Sequence, residues 1–314
     1  MTQAYKYLFG PVPSRRLGRS LGVDLTPHKT CTLDCVFCQL GRTTNKTMQR
    51  RVHVPVKAVT AEINDWIRNG GKTDYITLSG SGEPTLHSRF DKVLSFIRER
   101  TPFPAVLLSN GTLFWMPAVR AAARRADIVK LSLSAWDQFS FEHINRPHAD
   151  LRFNRIVDGY RAFRDEFQGK LWIEVFLLWG MNSIPRDVKR IAALVKTIRP
   201  DEIHINTAVR PPAEDFAVAV PRKQMQALAG LFYPKAKIIA EFPSGKSADI
   251  AANETTIRAM LRRRPCTARQ IADVFGMHLN ELAKYLGKLT RTGAVRIQEK
   301  DHETYYVAVK HVGG

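Results

Sequence analysis

Three cysteines fall within eight residues, in the run Cys31-Thr-Leu-Asp-Cys35-Val-Phe-Cys38. Thiolates this close on one loop can grip a single soft metal centre together, and three is one ligand short of a closed tetrahedral site. In a 4Fe-4S cluster held this way, one iron lacks a protein thiolate and stays free to bind a small molecule. A second polar segment, Ser79-Gly-Ser-Gly-Glu-Pro84, follows downstream. Its glycines permit close backbone approach, and Glu83 supplies a charge-assisted acceptor or, alternatively, a carboxylate that braces its own loop.

Other readings of the triplet stand beside the cluster. Zinc held by three thiolates and His28 is one. Disulfides suit the pattern poorly, because these cysteines sit together and are not spread as staples. Buried inert thiols suit it poorly too, since three of the four cysteines share one Gly/Pro-bounded loop. The fourth, Cys266, reads as a small packed residue just before a helix cap.

The C-x3-C-x2-C spacing, with Phe37 before the last cysteine, resembles the radical S-adenosylmethionine (SAM) superfamily. Gly82-Glu83-Pro84 resembles that family's segment for the methionine amino group of the cofactor. The opening, Phe9-Gly-Pro-Val-Pro-Ser-Arg-Arg-Leu-Gly-Arg-Ser-Leu-Gly-Val-Asp-Leu25, is similar to Fe-S oxidoreductases related to the wybutosine tRNA-modifying enzymes, and the resemblance covers residues 5 to about 245. It implies one 4Fe-4S cluster on Cys31, Cys35 and Cys38, and S-adenosyl-L-methionine as second cofactor. It further implies reductive cleavage of SAM to a 5'-deoxyadenosyl radical that abstracts hydrogen from a substrate, with a flavodoxin or ferredoxin as electron donor. Cofactor contacts implied in the same way are Phe37, Gly80, Gly82, Glu83, Pro84, Ser109, Asn110, Ser132, Ser134, Glu174 and Asn206, with Arg210 near the substrate. Several relatives carry further cysteines for an auxiliary cluster; this chain has too few left, which sets it apart from their activities.

The elements that must position these residues follow from patterning. With 314 residues, 44% hydrophobic and 25% charged, the chain is long enough for one sizeable core plus an appendage. Short apolar runs alternate with amphipathic stretches over the first 245 residues, the mark of parallel sheets and barrels. Strands are expected at Leu21 to Leu25, Tyr75 to Leu78, Ala105 to Leu108, Ile128 to Leu133, Leu171 to Leu178 and Glu202 to Ile205, with helices between them. Each strand runs out into a polar or Gly/Pro-rich segment, and in βα barrels such ends converge on one mouth. The fold class expected is therefore α/β, a partial (βα)6 barrel over 1–248. Lys130 and Glu174 interrupt apolar strands and should face the interior, paired with each other or with a ligand.

Beyond Asp249 the pattern changes. Ile250 to Arg264 reads as a helix, Thr267-Ala-Arg-Gln270 as a capping box, and Asn280 to Thr292 as an amphipathic helix. Ala294 to Gln298 and Thr304 to Val309 read as a two-stranded ribbon. Residues 249–314 thus resemble a small winged helix-turn-helix domain, which docks nucleic acid in one reading and protein in another.

A formal charge of +19 attracts polyanions, although residues 250–314 hold only eleven Lys/Arg against six Asp/Glu, so the excess is spread along the chain. No apolar run approaches the roughly 20 residues a membrane span needs, and the N-terminus lacks the apolar stretch of a signal peptide, so no membrane partner and a cytoplasmic location are expected. The functional expectation is a radical SAM enzyme acting on tRNA or other RNA. The alternatives are a protein, peptide or small-metabolite substrate, and a non-enzymatic Fe-S or zinc sensor that binds DNA.

Overall fold

A computed structural model describes residues 5–14, 16–240, 253–263, 265–275, 277, 279–300 and 303–309. In chain order it comprises β1 (Leu8–Ser14), β2 (Gly18–Val23), β3 (Thr30–Cys31), β4 (Asn45–Lys46), α1 (Val56–Arg68), β5 (Tyr75–Leu78) and α2 (Phe90–Arg100). There follow β6 (Ala105–Leu108), α3 (Pro117–Ala123), β7 (Ile128–Ser132), α4 (Gln138–Asn145), α5 (Phe153–Glu166), β8 (Lys170–Leu177), α6 (Pro185–Ile198), β9 (Glu202–Thr207), α7 (Arg222–Ala229) and β10 (Lys237–Ile238). Last come α8 (Glu254–Arg263), β11 (Cys266–Thr267), α9 (Ala268–Phe275), α10 (Leu279–Arg291), β12 (Val295–Lys300) and β13 (Glu303–Ala308).

One curled sheet has the order β1-β2-β5-β6-β7-β8-β9-β10. Every pair from β2 to β10 is parallel, and β1 adds antiparallel at the edge of β2. Alternation along the strands decides what each face does. Leu21, Val23, Ile76, Leu78, Leu107, Val129, Leu131, Ile173, Val175, Ile203 and Ile205 point outward into the main core. There they meet Val59 and Ile63 of α1, Val93 and Ile97 of α2, Tyr160 and Phe163 of α5, and Ile191 and Val195 of α6. The intervening residues point inward. Low on the strands they are apolar, and Leu17, Val106, Ile128 and Trp172 form a plug. Higher up they turn polar, so a cavity opens above the plug among Thr77, Lys130, Ser132, Glu174 and Asn206.

The six expected strands are all present within a few residues of their expected bounds. The structure adds β1, α4, α7 and the short strands to that reading. After residue 252, α8, α9 and α10 pack around Ile257, Met260, Leu261, Ile271, Phe275, Leu282, Leu286 and Leu289, with Cys266 buried among them. A three-stranded sheet of order β11-β13-β12 closes this unit. Thr267 and Gln270 cap α9 reciprocally, Gln270 Oε1 accepting from Thr267 N and Thr267 Oγ1 from Gln270 N, each at 3.2 Å. The expected boundary at 248/249, the start of the expected helix at Ile250 and the ribbon tip at 301–302 lie outside the described residues. No helix among the described residues is long and apolar enough to cross a membrane.

Candidate metal and cofactor site

The cysteine loop leaves β2 at the mouth of the barrel and is fastened by almost every loop around it. Thr30 O accepts from Glu83 N (3.1 Å), Cys31 O from Thr47 N (2.9 Å) and Thr32 O from His148 N (2.9 Å). Asp34 N and Val36 N donate to Asn145 O and Ile144 O, both at 3.0 Å, while Val36 O accepts from Glu214 N. Arg42 and Arg146 in turn grip the Glu214 carboxylate, at 2.9 and 2.5 Å. A loop whose only regular pairing among the described residues is the short β3–β4 ladder is thereby held in one shape.

Each thiol meets a side-chain donor: Asn110 Nδ2 lies 3.4 Å from Cys31 Sγ, Asn145 Nδ2 3.2 Å from Cys35 Sγ, and Lys29 Nζ 3.2 Å from Cys38 Sγ. That donor set suits sulfurs that carry negative charge as metal ligands. Burial pushes the Cys31 thiol up to about 12, with the Glu83 carboxylate adding to the effect. Burial, then neighbouring Cys38, pushes the Cys35 thiol up as well. Metal loading must displace these protons. His28, the residue a zinc site would draw on as its fourth ligand, is exposed.

Behind the loop, Glu83 ties three segments together. It is 2% exposed, and its Oε1 accepts from Thr85 N (3.0 Å), Thr85 Oγ1 (2.7 Å) and Ser109 Oγ (2.7 Å). Among the described residues its Oε2 accepts from Asn110 N, at 2.7 Å. Among the described residues its hydrogen-bond donors are all neutral groups. Two glycines let the strands come this close. A Cβ at Gly82 would sit 2.0 Å from Thr30 O, and one at Gly80, where φ is +153°, would sit 2.4 Å from Asp24 Cγ.

Beside the loop lies the cavity, about 410 Å³. Phe37 and Cys38 line it from the loop, Ser79 and Gly80 from β5's end, Lys130 and Ser132 from β7, Glu174 and Phe176 from β8, and Asn206 and Arg210 from β9's end. Phe37 and Phe176 stack with ring centroids 4.1 Å apart. Arg16 enters from the β1–β2 turn and pairs with Glu174. Lys130 Nζ reaches the same carboxylate at 3.0 Å, and Asn206 Nδ2 donates to it at 3.0 Å. Burial alone would push the Glu174 carboxyl up, yet Arg16, Lys130 and Asn206 outweigh it and hold the group well below the usual carboxylate range.

Of the residues expected at a cofactor site, Phe37, Cys38, Gly80, Ser132, Glu174 and Asn206 thus share one cavity. Cys31, Gly82, Glu83, Ser109 and Asn110 belong to the knot behind it; Pro84 follows Glu83 and is buried, and Cys35 meets Asn145. Ser134 is buried, its Oγ accepting from Phe176 N at 3.0 Å. Sequence reasoning did not assign Lys29, Arg16 or Asn145 to the site. Lys29 stands two residues before Cys31 and Arg16 lies within the Phe9–Leu25 opening, whereas Asn145 meets Cys35 across 110 positions, and nothing local marks it.

The sequence profile of the radical SAM superfamily matches residues 25–195, from just after β2 into α6. A protein named GTPase Obg from Brachyspira hyodysenteriae is 34% identical over 295 residues, 93% of this chain but 43% of that one, so the chain spans less than half of this relative. A UPF0026 protein of Methanocaldococcus jannaschii is 30% identical over 306 residues, 95% of each chain. Among solved structures, a radical SAM methyltransferase from Sphaerobacter thermophilus aligns with a TM-score of 0.56 at 14% identity, over 72% of this chain and 67% of that one. A structure of TYW1 with a lysine-pyruvate adduct bound aligns at 0.51 and 18% identity, over 70% and 76%. These two likenesses speak for the fold alone.

Proposed function

Because the chain belongs to the radical SAM superfamily, whose enzymes use a 4Fe-4S cluster and S-adenosyl-L-methionine, we propose that Cys31, Cys35 and Cys38 hold the cluster and the adjoining cavity receives cofactor and substrate. The observation that carries this reading is the clamped loop, with one side-chain donor at each of its three sulfurs. When bound, the two cofactors supply one-electron cleavage of a carbon–sulfur bond and the hydrogen-abstracting radical that follows.

The chain's own residues hold, orient and exclude water. Glu83 Oε2 has acceptor capacity to spare for an ammonium group, and Gly80 and Gly82 keep the backbone close at that point. Thr85, Ser109 and Asn110 fix the Glu83 carboxylate, and Ser134 fixes the β8 backbone beneath Phe176. Ser132, Glu174 and Asn206 offer hydroxyl, carboxylate and amide groups to a polar ligand. The stacked Phe37 and Phe176 form an apolar wall, and Met260 of α8 reaches the same cavity from the C-terminal unit, which narrows water's access.

Anaerobic reconstitution tests this directly. About four irons and four sulfides per chain are expected, with an electron paramagnetic resonance signal that changes on adding SAM, and 5'-deoxyadenosine formed with dithionite. Cys35→Ser should abolish all three. Zinc in place of iron, or a cluster indifferent to SAM, would overturn the assignment.

For the substrate, the reading we favour is RNA, tRNA first, with 249–314 acting as a winged helix-turn-helix module. It is supported by the +19 charge and by Lys284, Lys288 and Arg291, exposed on α10. Binding to tRNA should weaken steeply between 50 and 200 mM salt; salt-indifferent binding, or none, would favour a peptide or metabolite. A small acidic flavodoxin or ferredoxin is the reductant we expect, given exposed Arg42 and Lys46 on the cysteine loop's flank.

A further inference from the structure

Lys29 is 4% exposed, and its ammonium lies 3.2 Å from Cys38 Sγ. Among the described residues no carboxylate pairs with it. A buried ammonium without an anion is costly, and a neutral thiol is a weak acceptor that does little to offset that cost. The position is nevertheless firmly built. Lys29 takes a left-handed φ of 56°, its N–H donates to Ser81 O at 2.6 Å, and its carbonyl accepts from Asn45 N at 3.1 Å. The backbone is thus pinned on both sides and the side chain is directed at one sulfur. Cys31 and Cys35 differ, because their donors, Asn110 and Asn145, are neutral amides.

We propose that Lys29 is the resident counter-charge of the cluster site and sets the potential at which that site accepts its electron. The inference rests on the cluster reading above and goes beyond it. One-electron reduction adds one negative charge, and a fixed cation beside a ligand sulfur favours the more negative state. Lys29 thereby makes reduction easier for an external one-electron donor, and it is a positioning residue, not a catalytic one.

The test is a potentiometric titration of the reconstituted full chain with dithionite, followed by electron paramagnetic resonance and carried out without SAM. Lys29→Met removes the charge at similar volume, and Lys29→Arg keeps it. Relative to the unaltered chain, Lys29→Met should shift the one-electron equilibrium at least tenfold toward the oxidised form, a midpoint about 59 mV more negative. Lys29→Arg should stay near the unaltered value. Full iron content with an unchanged midpoint in Lys29→Met would overturn the proposal, as would an arginine variant as low as the methionine one. If Lys29→Met fails to load iron, Lys29→Gln serves in its place; failure of both would make Lys29 an assembly residue and sink the potential-setting role. A shift seen only with SAM present would also overturn it, placing Lys29 on the cofactor. An unaltered chain that holds no iron refutes the cluster reading instead, and the iron count tells the two failures apart.

Discussion

Glu174 shows how much can hang on one carboxylate inside a barrel. It is 8% exposed, and it balances Arg16 and Lys130 at once. Removing one partner of a buried ion group leaves the others uncompensated, so Glu174→Gln should cost about 3 kcal/mol, read from the urea midpoint at neutral pH. The same residue gives the pH dependence its sign. Its carboxyl is held below its ordinary value in the folded chain, so its contribution is complete above about pH 4.3, where a free glutamate titrates, and is lost as pH falls through the folded value. The stability gap between the unaltered chain and Glu174→Gln should therefore close on acidification. A gap that is constant from pH 7 to pH 3 contradicts this account.

Glu83 makes a second case at this scale. Every acceptor position in use faces a donor, so an amide NH2 set against Asn110 N or the Ser109 hydroxyl would oppose donor to donor. Glu83→Gln should lose about 2 kcal/mol in thermal unfolding of the iron-free chain, where cofactor binding cannot contribute. An unchanged unfolding curve would mean that the knot is not a structural brace. What the sequence discloses about such residues depends on distance along the chain. The cysteines and Glu83 lie in compact segments whose residue types are improbable for a core, and they are visible at once. Arg16 meets Glu174 across 158 positions, and only folding brings the two together.

Among the elements, the six expected parallel strands were readable because they are buried on both faces and carry short apolar runs, unbroken in β6 and broken only by polar residues on the inward face in β7, β8 and β9. β1 was not. Its Phe-Gly-Pro-Val-Pro stretch reads as a loop, since prolines cannot donate to a ladder. At the sheet's edge, however, no partner on the far side needs those N–H groups. The register of β5 and its following loop is set equally tightly by Gly82, which lies against the Thr30 carbonyl of the cysteine loop. A methyl group there meets backbone on another strand end, which cannot rotate away. Gly82→Ala should cost roughly 3 kcal/mol and strip most of the iron from the reconstituted chain, while Gly41→Ala, on the cysteine loop with open space around it and only the strain of its positive φ of +81° to bear, should retain more. Equal iron in both variants would show that the close approach of the two loops does not shape the thiol site.

At the scale of the whole molecule, the C-terminal unit is attached to the mouth of the barrel. Tyr305 Oη donates to Val209 O at 2.7 Å and Lys300 Nζ to Ala208 O at 3.3 Å, so the ribbon grips the segment that leads from Asn206 to Arg210. Met260, part of that unit's own core, lines the cavity. The helix pattern announced a compact appendage, but no sequence signal could say that its ribbon would turn inward and leave the face of α10 to solvent. The attachment has a measurable consequence, because Tyr305 and Lys300 hold the Val209 and Ala208 carbonyls just beyond β9, between Thr207, which donates to Leu177 O, and Arg210, which meets Gln39. Tyr305→Phe deletes the hydroxyl that lies 2.7 Å from Val209 O and 3.0 Å from a Glu303 carboxylate oxygen; losing the restraint on Val209, about 1 kcal/mol, should raise the open population of that segment about fivefold. Hydrogen exchange would register this as faster labelling of the 207–210 amides, with the β7 and β8 amides unchanged. Uniform acceleration across the barrel would mean that Tyr305 supports the fold at large, and no acceleration would mean that the ribbon rests on the mouth without restraining it.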